Sequence, residues 1–122
     1  MPELMLLSID GSKLYCLTNK ATLYALNAAN GEIEWAEELD KSGIGSAVAV
    51  DKAGNIYAGT NAKIYSYTSE GEKRWETSEE TKVTETGAFA LNGKHLYAAL
   101  KSKGGLISIN MDTGAREWSC PV

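Results

Sequence analysis

Three tryptophans, Trp35, Trp75 and Trp118, each stand four residues after a glycine, Gly31, Gly71 and Gly114, and lie 40 and 43 residues apart. A fixed period of that length constrains the fold more tightly than composition does. Each copy is one supersecondary unit that cannot bury its apolar face alone, so the copies must stack. The best-formed copy reads Leu23-Tyr24-Ala25-Leu26-Asn27-Ala28-Ala29-Asn30-Gly31-Glu32-Ile33-Glu34-Trp35, a strand, a tight turn and a second strand. Ile64-Tyr65-Ser66-Tyr67 leads through Gly71 to Trp75, and Leu106-Ile107-Ser108-Ile109 leads through Gly114 to Trp118.

Two further strands precede this pair in each copy. Residues 4–9 form a short apolar run, the pattern of a strand buried on both faces. Asp10-Gly11 makes a turn, and residues 13–18 and 22–27 follow as strands. Asn30-Gly31 tolerates the positive φ of a hairpin turn. Residues 32–39 are the fourth strand, placed outermost by their charge. Simple alternation puts Ile33, Trp35 and Glu37 on one face and Glu32, Glu34 and Ala36 on the other. The second copy repeats the order at residues 46–50, 56–59, 63–67 and 72–77, and the third at 87–91, 96–99, 106–110 and 115–120. Residues 70–84 are charged enough to suggest a helix, but Trp75 keeps the register of the other tryptophans and Thr77, Thr81, Val83 and Thr84 favour strand. The chain reads as all-β, with four strands per copy.

At these residues the chain resembles the quinoprotein-type, PQQ-like repeat β-propeller family. The match rests on the Leu-Tyr-Ala-Leu-Asn strand at 23–27, the Asn-Gly and Thr-Gly turns at 30–31 and 113–114, and the closing tryptophans. The second copy has a shortened turn and fits more loosely. The resemblance covers nearly the whole chain. It implies three four-stranded antiparallel blades, with blade one at 1–41, blade two at 42–82 and blade three at 83–122. It also implies a blade-docking role for Trp35, Trp75 and Trp118 and for Gly31, Gly71 and Gly114. A tryptophan offers a large apolar face and one N–H to donate, and a glycine lets two backbones approach closely.

The family's rings commonly hold six to eight blades, and three blades leave two end faces bare. Large apolar faces are seldom left in water. The expectation is a six-bladed ring closed by two identical chains, head to tail. A nine-bladed trimer, or an arc completed by a different propeller chain, are the alternatives, and a piece cut from a larger natural propeller fits the same pattern.

Charge narrows the partners. A net charge of −4 and a pI near 5.0 argue against nucleic acid, whose binders carry a basic face. No apolar run reaches the roughly 18 to 20 residues of a membrane span. The start, Met1-Pro2-Glu3-Leu4-Met5-Leu6-Leu7, has neither a basic segment nor a small-residue cleavage site, so the chain as written reads as cytoplasmic; a chain trimmed of its leader would read as extracytoplasmic. Cys16 and Cys120 read as separate thiols, with a disulfide between them as the alternative.

Propeller enzymes of the resembled family hold a quinone and calcium at the axis, and none of those positions carries over to this chain. No catalytic, cofactor-binding or metal-ligating residue is assigned. His95 has no partner set by a motif and reads as solvated or loosely hydrogen-bonded. Asp51, Gly54 and Asn55 read as a turn rather than a calcium loop, which needs six to eight oxygens. The acidic positions Glu37, Glu38, Asp40, Glu76, Glu79, Glu80 and Glu85 read as a solvated rim, and Lys94, Lys101 and Lys103 as a solvated loop group. The connections entering the inner strands are the candidate axis-facing surface: Ser42, Gly43, Gly45 and Ser46, with Thr84, Thr86 and Gly87. The function expected is a non-enzymatic scaffold that self-associates and presents a face to a protein or peptide. The alternative is a propeller binding a small ligand, or a quinone with calcium, at its central axis.

Overall fold

The computed structural model describes residues 5–41, 43–78, 83, 86–101 and 105–121. Its twelve strands are β1 (Met5–Asp10), β2 (Lys13–Thr18), β3 (Thr22–Asn27), β4 (Ile33–Glu38), β5 (Gly45–Val50), β6 (Ile56–Thr60), β7 (Ile64–Tyr67), β8 (Lys73–Glu76), β9 (Thr86–Asn92), β10 (His95–Leu100), β11 (Gly105–Asn110) and β12 (Arg116–Pro121). Three four-stranded sheets run in sequence order, β1 to β4, β5 to β8 and β9 to β12, and every pair within them is antiparallel. The first strands of successive sheets lie against each other, β1 near β5 and β5 near β9, while β4, β8 and β12 are the outer edges. Among the described residues there is no helix, and none long and apolar enough to cross a membrane.

Packing follows from the two-residue period of the strands. Tyr15, Leu17, Leu23 and Ala25 point from sheet one onto Ile56, Ala58, Tyr65 and Tyr67 of sheet two. The alternate residues of sheet two, Tyr57, Ile64 and Trp75, meet Leu96, Ala98, Ile107, Ile109 and Met111 of sheet three, with Val83 beside them. Sheet two is thus covered on both sides, and every residue of β6 and β7 is buried. In β3 the burial alternates, because only one face of sheet one has a neighbour.

Two expectations are corrected here. The run at residues 4–9 was expected to be buried on both faces, yet Leu7 and Ile9 are 62% and 61% exposed. They pair with Cys16 and Leu14 and so share the face of sheet one that points away from sheet two. Ile33 and Trp35 were expected on one face. The ladder from β3 to β4 shifts register, matching Ala25 with Trp35 but Leu26 with Ile33, so Glu34 is an extra residue. Such a bulge breaks strict alternation. Trp35 goes to the face toward sheet two, and Ile33, 61% exposed, to the open face. The same shift recurs at Ser66/Tyr67 and at Ser108/Ile109.

Cys16 and Cys120 are both free thiols, the first buried and the second exposed. Burial pushes the Cys16 thiol up from its ordinary value.

Because Trp75 is only 8% exposed and sits in the sheet two–sheet three core, Trp75→Ala should cost about 3–5 kcal/mol in chemical denaturation. An unchanged unfolding midpoint would show that this core does not depend on the indole.

Candidate functional site

The candidate site is the pair of joints between the sheets, together with the two outer faces of the arc. At the first joint, the Trp35 indole N–H donates to the Ser69 carbonyl at 2.9 Å, and Lys13 Nζ donates to the same oxygen at 3.2 Å. A β-carbon on Gly71 would fall 2.9 Å from the Trp35 ring. At the second joint, Trp75 Nε1 donates to the Met111 carbonyl at 2.8 Å and Arg74 Nη2 reaches it at 3.3 Å. A β-carbon on Gly114 would fall 2.5 Å from Trp75. Both glycines have positive φ, +89° and +79°, which any side chain would strain. A tyrosine backs each tryptophan, Tyr15 at 6.4 Å from Trp35 and Tyr57 at 6.0 Å from Trp75, both tilted.

The ends of the arc hold the unmatched halves. Trp118 is 47% exposed and tilts against Tyr97 at 6.0 Å. Gly31, at φ +76°, has nothing near where its β-carbon would stand. Every large hydrophobic exposed among the described residues, apart from Ile44, lies on one of these two ends: Leu7, Ile9 and Ile33 on sheet one, Leu106 and Trp118 on sheet three.

A polar cluster crosses the second joint. The Tyr57 hydroxyl donates to Asp51 Oδ2 at 2.8 Å and accepts from Arg74 Nη1 at 3.1 Å. Arg74 also donates to Ser66 Oγ at 2.7 Å and lies 3.8 Å from Asp112. Burial, and then the Asp51 hydrogen bond, push the Tyr57 phenol up to about 12. The other Asp51 oxygen takes the backbone N–H groups of Ala53 and Asn55. On sheet three, Glu117 accepts from Ser108 and pairs with His95, both at 2.8 Å, and these bonds hold its carboxyl below the ordinary value.

The candidate axis-facing residues are drawn into packing where they are described. Ser46 and Thr86 bond to each other at 2.7 Å between β5 and β9, and Thr86 is buried. Gly45 lies tight against the Thr18 carbonyl and Leu17, Gly43 is buried beside Asp40, and Gly87 lies near Lys101. Ser42 and Thr84 lie outside the described residues, as do Glu79, Glu80, Glu85 and Lys103. Glu76 pairs with Lys63 and Lys73, and Lys94 with Asp112. A cavity of about 400 Å³ opens at the opposite ends of the same inner strands, lined by Val50, Leu91 and Met111 and the turns at residues 51–53 and 92–93.

Sequence reasoning missed the two cations, Lys13 and Arg74, that share a carbonyl with the tryptophan. Arg74 directly precedes Trp75, but the bulge that turns it to the same face appears only in the strand pairing.

The comparisons agree with this geometry. Residues 4–122 match the family described as outer membrane protein assembly factor BamB. The chain belongs to this family of PQQ-like repeat propellers. No curated protein matches it. BamB from Moraxella catarrhalis superposes with a TM-score of 0.79 at 13% identity, over 100% of this chain and 38% of that one. Quinohemoprotein alcohol dehydrogenase ADHIIG from Pseudomonas putida HK5 gives 0.74 at 18%, over 89% and 19%. Sqt1 of Saccharomyces cerevisiae gives 0.75 at 17%, over 89% and 30%. The chain thus spans well under half the length of each, and at these identities the likeness is one of fold.

Among the described residues no three His, Cys, Asp or Glu side chains gather as ligands. Trp35 and Trp75 have their indoles committed between sheets.

Gly114→Ala and Gly93→Ala separate backbone strain from contact. Both glycines have positive φ, but only Gly114 faces an indole. Each should lose about 1–2 kcal/mol to the backbone, and Gly114→Ala about 1–3 kcal/mol more to overpacking; equal losses in urea melts would deny the indole contact. The raised Tyr57 value gives stability present below its ordinary value of 10.0 and lost as pH climbs toward about 12. Tyr57→Phe should flatten that part of an alkaline denaturation curve.

Proposed function

We propose that this protein is a non-enzymatic propeller scaffold that completes its ring by self-association and presents a face to a protein or peptide. Two chains of three blades would close a six-bladed ring about a twofold axis, with the tryptophan–glycine pairs docking each blade on the next. The observation that carries this reading is the pair of open ends. Trp118 and Leu106 stand exposed at one, and Leu7, Ile9, Ile33 and an uncovered Gly31 at the other. Each end has the chemistry of one side of a joint that is closed inside the chain.

The cavity at the ends of β5 and β9 supports a second reading, a small-ligand site, through its apolar floor of Val50, Leu91 and Met111 beside polar turns. A scaffold would use the same rim for a peptide. Binding of a small molecule that protects Met111 from oxidation would favour the second reading over the first.

The test of the ring is solution mass by light scattering over a dilution series. A mass near twice 13.1 kDa is expected. A folded monomer at every concentration would overturn self-closure, and a mass near three times the chain would replace six blades with nine.

A further inference from the structure

The geometry points to a defined closing joint, in which the Ala28 carbonyl of a second copy accepts both the Trp118 indole N–H and a protonated His95, with Gly31 of that copy under the indole. This rests on the self-closing ring proposed above and assigns its contact residues.

The two closed joints set the pattern. In each, one turn carbonyl receives a tryptophan N–H and a cation, Trp35 with Lys13 on Ser69 and Trp75 with Arg74 on Met111. The acceptor always occupies one position. Asn27, Thr68 and Asn110 each donate their N–H across the turn, to the carbonyls of Glu32, Glu72 and Ala115. The next residues are Ala28, Ser69 and Met111. Ala28, exposed at the open end of sheet one, is therefore the third acceptor.

The donors are in place on sheet three. The Tyr97–Trp118 pair, 6.0 Å apart and tilted by 35°, repeats Tyr57–Trp75 at 6.0 Å and 44°, although Trp118 is 47% exposed. The indole is already oriented, which lowers the cost of docking. His95 stands opposite Asn110 as Lys13 stands opposite Asn27, so the two share a register position. Each pairs with the acid that precedes its tryptophan, Lys13 with Glu34 at 3.6 Å and His95 with Glu117 at 2.8 Å. Sheet three repeats the charge pair of sheet one with an imidazole in place of the ammonium.

That exchange makes the joint sensitive to protons. Nδ1 of His95 faces the Glu117 carboxylate and must carry a hydrogen to bond it. A neutral ring then has only a lone pair on Nε2, which repels a carbonyl. The imidazolium alone donates from both nitrogens. The ring lies against Glu117 of β12 and the Tyr97 ring; the neighbouring Lys94 pairs with Asp112 at 4.0 Å. The facing turn of the second copy, residues 28–31, carries no ionisable side chain, and Glu32 follows it.

Sedimentation across a dilution series, from about pH 5.5 to about pH 8, tests the joint. The wild-type dimer should weaken by about tenfold or more as pH rises, as expected for loss of a charge-assisted hydrogen bond. His95→Lys, which restores the cation of the first joint, should remove that dependence. Gly31→Asn keeps a residue that accepts positive φ but fills the ground under Trp118. It should weaken the dimer at every pH while leaving the melting of the isolated arc nearly unchanged. A dimer indifferent to Gly31→Asn, or equally tight across the pH range, overturns this joint and leaves self-association standing. A wild-type protein that stays monomeric overturns both.

Discussion

One backbone carbonyl per joint organises the contact between sheets. It lies in a turn where the chain has no ladder partner for it, and it faces the neighbouring sheet. An indole N–H satisfies it while the rest of the ring covers apolar surface, so one side chain supplies both direction and area. The glycine three residues or fewer beyond that carbonyl lets the ring lie flat on the turn; a side chain there would hold the sheets apart. A cation on the same oxygen adds a charge-assisted bond at the rim, where water competes and the gain is smaller.

Much of this was legible in the sequence. The spacing of Gly31, Gly71 and Gly114 before the three tryptophans placed all three outer strands, and the turn dipeptides marked most strand ends. The bulge was not legible, because alternation across residues 32–35 is a clean two-residue pattern and the extra residue appears only in the pairing with β3. It moved Ile33 to the open face and Glu34 next to Trp35. The exposure of Leu7 and Ile9 was hidden for another reason. Their composition is that of a buried strand, and whether a face is covered depends on how many sheets are present rather than on the strand.

Gly45 and Ser46, read from the sequence as part of an axis-facing surface, show the limit of reading small residues as an open surface. Gly45 and Ser46 are small because Thr18, Leu17 and Thr86 come close to them. Close packing of inner strands and room for a ligand ask for the same residues, and sequence alone does not separate the two. The relatives by fold include a BamB and a quinohemoprotein alcohol dehydrogenase, so the scaffold itself is neutral on chemistry.

The bulge before each tryptophan has a consequence for how near-identical units are told apart. By turning two consecutive side chains to one face, it separates an invariant fastener from a variable neighbour. Glu34, Arg74 and Glu117 fill that neighbouring slot beside the same indole. Arg74 reaches Asp112 on the sheet that follows it, while Glu34 holds Lys13 over the carbonyl it serves. Each blade therefore carries a label written in one residue, which can change without altering the fastener. A repeat array built this way can keep a single architecture and still record the order of its parts.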